Sequence, residues 1–146
     1  MKFFSSNRIK TKVLRKQICI LGKHLGVQKI TFNNKGKDIR GSYLAGKCSM
    51  YIDMKQTKRE MLHTFFHELA HHTAVTEGIW YAYHYSPNNN GEFSPEEQFT
   101  IENGIDKIAN NLWNKYVDIK RWGRYKYAYL KSNKTYLINW LKQRTK

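Results

Sequence analysis

A chain of 146 residues is long enough to bury roughly two thirds of the surface it exposes when unfolded, so it needs no disulfide scaffold to fold. Its 40% hydrophobic and 14% aromatic content is too high for a disordered segment, and no apolar run approaches the ~20 residues of a membrane-spanning helix. The formal net charge of +15 is uneven: residues 1 to 31 carry eight Lys and Arg and no acid, residues 32 to 114 carry eight against ten acids, and residues 115 to 146 carry ten against one.

A near-neutral middle between two basic flanks points to chemistry in the middle and to an acidic partner for the flanks, nucleic acid being the usual one. Residues 1 to 12 lack the roughly 7 to 15 apolar residues of a secretory signal. With Cys19 and Cys48 the only cysteines, a reducing, cytoplasmic setting with two free thiols is expected. The whole of 1 to 146 reads as one domain, with a basic N-terminal helix and a basic aromatic tail from about 115 to 146.

In chain order, Ile9, Val13, Leu14, Ile18, Leu21 and Leu25 recur at helical spacing among lysines and arginines, which predicts an amphipathic helix ending near Gly22 to Gly26. Residues 27 to 32, 39 to 44 and 47 to 53 are short strand-like runs separated by turn chemistry, and they predict a meander of three strands. The last run, residues 49 to 53, leads into the next helix and could form a sheet edge for an extended peptide or an inner strand.

Thr57 and Glu60 form a capping-box pattern that opens a helix through Met61, Leu62, Phe65, Phe66, Leu69 and Ala70. Residues 86 to 95 have loop composition. Ser94, Pro95 and Glu97 then start a further helix through Phe99, Ile101, Ile105, Ile108, Ala109, Leu112 and Trp113. In the tail, residues 121 to 131 alternate tyrosines as a strand would, and 136 to 140 suggest a short helix.

The chemistry sits in the capped helix. His67-Glu68-Leu69-Ala70-His71 is an HExxH motif, whose spacing sets both imidazoles on one helix face about one turn apart, as a shared zinc ion requires. Glu68 follows the first ligand directly and would stand beside the water it deprotonates. A third protein ligand is needed, and the metzincin extension is absent, since Ala74 and Glu77 stand where Gly and His would be required.

A carboxylate from the following helix is the alternative, with Glu96, Glu97, Glu102 and Asp106 as candidates. Helical phase places Glu102 roughly 60° from the apolar direction, Glu97 and Asp106 nearer 90° and Glu96 on the far side, which favours Glu102. Glu77 and His84 are the remaining options. His63 is read as a supporting or surface residue, His72 as a packing residue, and Tyr81, Tyr83 or His84 as groups that could donate to a developing oxyanion.

Residues 65 to 72 together with Glu102 to Leu112 resemble the small zincin-type metallopeptidases of prophages and mobile elements, the ImmA/IrrE-like metallo-endopeptidases and, more distantly, SprT-like proteins. That resemblance implies an α+β zincin-like minidomain, with a three-stranded sheet packed on the active-site helix and a second ligand-bearing helix. It implies His67, His71 and Glu102 as zinc ligands in a gluzincin-like set, Glu68 as general base, and a protein or peptide substrate that is associated with DNA. The competing expectation is a non-enzymatic nucleic-acid-binding protein with a structural zinc or no metal, its working surface in the Lys, Arg, Trp and Tyr of the tail.

Overall fold

The computed structural model describes residues 2–34, 40–78 and 95–127, with backbone only for 95–100. Among the described residues it is an α+β fold of four α-helices and one three-stranded mixed sheet. The first helix, α1 (Thr11–His24), buries Leu14, Ile18 and Leu21 of the predicted stripe, whereas Ile9 precedes the helix and Val13 is exposed. It stops where Gly26 takes a φ of 96°, a left-handed conformation that favours glycine.

The strands are β1 (Lys29–Asn33), β2 (Gly41–Leu44) and β3 (Ser49–Asp53), within a residue or two of the runs seen in the sequence. Their arrangement differs from a meander. The order is β1-β3-β2, with β1 parallel and β2 antiparallel to β3. Burial explains the order: β3 buries Met50, Ile52 and Asp53, whereas β2 buries only Tyr43 and β1 buries no residue fully. The strand with the most to hide takes the centre, so residues 49 to 53 form an inner strand, and the edge beside the helices falls to β2 instead.

The second helix, α2 (Lys58–Thr76), starts at the capping box read from the sequence: Thr57 Oγ1 accepts from the Glu60 amide at 3.1 Å, and the Thr57 amide donates to Glu60 Oε1 at 3.0 Å. Those contacts, led by the Thr57 backbone, hold the Glu60 carboxyl below its usual range, and its other oxygen pairs with Arg40 at 2.6 Å. Eleven of the nineteen residues of α2 are buried, because the helix is packed on two sides. One side meets the sheet and α1; the other meets α3 (Pro95–Tyr116).

The core is aromatic where these layers meet. Phe4 stands edge-on to Phe65 and Phe66 at 6.3 and 5.8 Å between centroids, and Trp113 of α3 stands edge-on to Phe66 at 5.6 Å. A short helix, α4 (Ile119–Trp122), follows α3. Arg121 therefore lies in a helical turn, and residues 123 to 127 form no strand, contrary to the alternation of tyrosines, while residues 128 to 131 of that run lie outside the described residues. The reason is the packing of Trp122 and Tyr125, three residues apart and both buried against the helices. The expected helix over 136 to 140 lies outside the described residues.

Gly41 sets how closely β2 approaches α2. A Cβ there would lie 2.4 Å from the Thr64 side chain and 2.9 Å from the Tyr51 carbonyl oxygen, with Glu68 Cγ next at 3.5 Å. Gly41→Val should therefore push β2 off α2 and lower stability by about 1–3 kcal/mol, read from the denaturant midpoint. An unchanged midpoint would contradict this seating of the strand.

Candidate metal centre

Mid-helix packing of α2 decides where the HExxH side chains go. Phe65, Phe66, Leu69 and Ala70 are fully buried, which locks the rotation of the helix and turns His67 and His71 toward α3. Their rings lie 5.1 Å apart. On α3, Ile101, Ile105 and Ala109 face the core, and Glu102 and Asp106, one turn apart, project toward the two histidines.

His67, His71 and Glu102 each offer one ligand atom, and these atoms all lie within 4.8 Å of one another. This is the trio expected from the motif and the helical phase. Two neutral-capable imidazoles and one carboxylate are the donor set that suits a divalent zinc ion, with coordination positions left for water or substrate. The residues therefore fit the metal that the sequence suggested.

His67 stands between two carboxylates. Its Nε2 is 3.4 Å from Glu102 Oε2 and its Nδ1 is 3.4 Å from Asp106 Oδ1. Burial alone would lower the pKa of this imidazole, but hydrogen bonding to Asp106 and Glu102 outweighs it and raises the value to about 10. The pair of anions thus calls for positive charge at this point, which either a proton or a divalent cation can supply.

Burial also pulls on Glu102, yet the His67 hydrogen bond and the neighbouring His71 charge prevail and hold its carboxyl below the usual range. Glu68 goes the other way. It is 7% exposed, and burial raises its pKa to about 7 against the opposing pull of His67.

Two residues of the site were not assigned these places from the sequence. Asp106, weighed there only as a metal ligand, is fully buried behind His67 and orients the ring through Nδ1. Its four-residue spacing from Glu102 was a usable signal for a shared face. Tyr125 carried none, since nothing in the tail's pattern ties it to the motif. Its hydroxyl donates to Asp106 Oδ1 at 2.8 Å and lies 3.5 Å from His67 Nδ1. Burial, followed by the Asp106 charge, drives its phenol pKa well up, so it stays a donor.

The backbone carrying Tyr125 is fastened to α2 and α3 at several points. Arg59 donates from Nε to the Trp122 carbonyl at 2.9 Å and from Nη2 to the Arg124 carbonyl at 2.6 Å. The Trp113 indole donates to the Gly123 carbonyl at 2.9 Å, and His63 donates from Nε2 to the Lys126 carbonyl at 2.7 Å while its ring stacks on Tyr125 at 4.5 Å. Burial lowers the His63 pKa against the pull of that carbonyl.

His63 thus supports the segment that supports Asp106, in line with its expected supporting place. His72 packs away from the site: Tyr43 donates to its Nδ1 at 2.6 Å, and its Nε2 donates to the Leu25 carbonyl at 2.9 Å. Glu77 is exposed at the C-terminal cap of α2. Side chains of Glu96 and Glu97, and all of Tyr81, Tyr83 and His84, lie outside the described residues.

A groove of about 510 Å³ opens on the sheet face turned away from α2, lined by Lys29, Thr31, Ser42, Ser49 and Tyr51 among others, and it has none of the histidines or carboxylates of the centre. No helix among the described residues is long and apolar enough to cross a membrane. Comparison with protein-family models, curated proteins and solved structures finds no match to this chain.

Tyr125→Phe removes one donor from the buried Asp106 carboxylate and should cost about 1.5–3 kcal/mol, the usual loss for a hydrogen bond to a charged group. The check is the unfolding midpoint against Tyr127→Phe as a control, and equal midpoints for the two variants would contradict the contact's importance.

Proposed function

We propose that this protein is a zinc-dependent metallo-endopeptidase. The observation that carries the reading is the meeting of His67, His71 and Glu102 ligand atoms within 4.8 Å, on two helices, with the buried Glu68 carboxylate one residue from the first ligand. When bound, zinc supplies Lewis-acid polarisation of a carbonyl and acidifies water. The chain's own residues do the rest.

Glu68 takes the proton from the attacking water on a carboxylate oxygen and returns it to the leaving amine, a role that suits a carboxyl whose pKa burial has already raised to about 7. Asp106 holds the His67 ring through Nδ1, which would leave Nε2 for a metal, and Tyr125 holds Asp106. β2, an edge strand among the described residues, runs beside Glu68 at Gly41, which supports an extended peptide as substrate, added as a further strand. The likeness to ImmA/IrrE-like enzymes is part of the same reading and rests on the HExxH helix and the Glu102 helix alone.

Zinc-loaded protein should generate new amino termini from a mixed peptide library. Glu68→Gln should keep zinc and fold while lowering that rate about 10²–10⁴-fold, the usual share of a general base. His67→Ala and Glu102→Ala should lose zinc as well as activity. Cleavage by Glu68→Gln at the native rate, or none by the zinc-loaded native protein, would contradict the assignment.

A further inference from the structure

Residues 2–8 and 114–121 of the two basic flanks are more than 100 positions apart in sequence, yet the fold lays them side by side. The Phe4 amide donates to the Tyr116 carbonyl at 2.8 Å and the Asp118 amide donates to the Phe4 carbonyl at 2.9 Å, forming a parallel bridge between Phe4 and Val117. Lys2 Nζ donates to the Asn114 and Lys115 carbonyls, and Asn7 Nδ2 donates to the Arg121 carbonyl at 2.7 Å. Lys58 of α2 joins from the third side, donating to the carbonyls of Asn7 and Ile9 at 3.0 and 2.9 Å.

This seam gathers Lys2, Arg8, Lys115, Lys120 and Arg121, all exposed. The Lys2 and Lys58 amines bond to carbonyls, which satisfies donors without neutralising charge. The only acid in residues 1 to 31 and 115 to 146 is Asp118, and its Oδ1 is occupied as the cap of α4, accepting from the Lys120 amide at 3.0 Å. Among the other described acids, Glu60 is paired with Arg40, Glu102 and Asp106 lie beside His67, Glu68 is buried, Asp53 accepts from the Lys55 amide, and Glu77 stands at the opposite end of α2 from Lys58. These five cations, for which no ion pair is found among the described residues, are held on a well-packed seam with Phe4 and Val117 fully buried beneath it, which makes a basic surface suited to a polyanion.

From this placement we infer that the seam between residues 2–8 and 114–121 is a nucleic-acid-binding surface, one that holds the phosphate backbone without reading base sequence. Arg8 and Arg121 supply planar, bidentate phosphate donors, and the lysines supply point charges. A lipid surface fits less well. Little apolar surface accompanies the cations for insertion: α4 is one turn long with Trp122 buried, and Phe3 and Ile119 are each 37% exposed. The inference does not depend on the metal centre.

The test is fluorescence anisotropy of labelled duplex DNA and of a single strand of arbitrary sequence, titrated with the full chain across a salt series. Native protein should bind both in low salt, with affinity falling log-linearly with salt at a slope of about −0.9 per phosphate on duplex. Arg8→Glu/Arg121→Glu should weaken binding about tenfold or more and flatten the slope by roughly two contacts. Lys29→Glu/Lys47→Glu, the same charge change placed on the outer face of the sheet, should leave the slope within error of native.

Arg8→Gln/Arg121→Gln, which adds no repulsion to the fold, should show the same direction of loss. Circular dichroism verifies folding of each variant. Equal losses in the seam and sheet variants, no binding by native protein in low salt, or tighter binding to phosphatidylserine vesicles than to duplex would each overturn the inference.

Discussion

Everything in this fold turns on the placing of one imidazole between two acids. Asp106, His67 and Glu102 form a line of carboxylate, ring and carboxylate between α2 and α3, with Asp106 fully buried. Anions taken out of water cost several kcal/mol each unless positive charge and hydrogen bonds meet them there. Two acids against one histidine favour positive charge at that point, from a proton on the imidazole or from a bound cation. The aromatic contacts of Phe4, Phe66 and Trp113 press α3 onto α2, and the capping box and Gly41 fix where α2 begins and how close the sheet comes.

Support reaches that line from the far end of the chain. Arg59, near the start of α2, grips the carbonyls on either side of Gly123, and the segment so held delivers Tyr125 to Asp106. His63, one turn before His67, stacks on the same tyrosine. The helix that carries the motif thus also carries two of the anchors for the segment that orients it, which couples the integrity of the centre to the docking of residues 123 to 127. The same stretch of chain begins at α4, whose N-terminal side forms the cationic seam with residues 2–8.

Local patterns in the sequence were legible wherever one element decided the outcome. The α2 capping box and the helical phase of Glu102 concern neighbours within a turn or two and are found as read, and the apolar spacing of α1 holds at Leu14, Ile18 and Leu21 but not at the exposed Val13. Strand order was not legible, because turn residues reveal where strands end but not which strand is buried on both sides. β3 displaced β2 from the middle through the burial of Met50 and Ile52. Tyr125 was invisible for a similar reason: its partner lies nineteen residues earlier on another helix, and its spacing from Tyr127 imitates a strand. Asp106 lay between these cases: helical phase set it about 90° from the apolar direction, behind Glu102 among the candidates, whereas the structure buries it fully beside His67 Nδ1.

The most direct test of the centre is X-ray absorption at the zinc edge on protein reconstituted with one equivalent of zinc, comparing native with Glu102→Gln. If His67, His71 and Glu102 hold the ion, the native spectrum should fit two imidazole nitrogens at about 2.0–2.1 Å and carboxylate or water oxygen at about 2.0–2.2 Å, with no sulfur shell, and the variant should change the oxygen shell while the two imidazoles persist. A sulfur shell at about 2.3 Å from Cys19 or Cys48, or fewer than two imidazoles in the native protein, would contradict it.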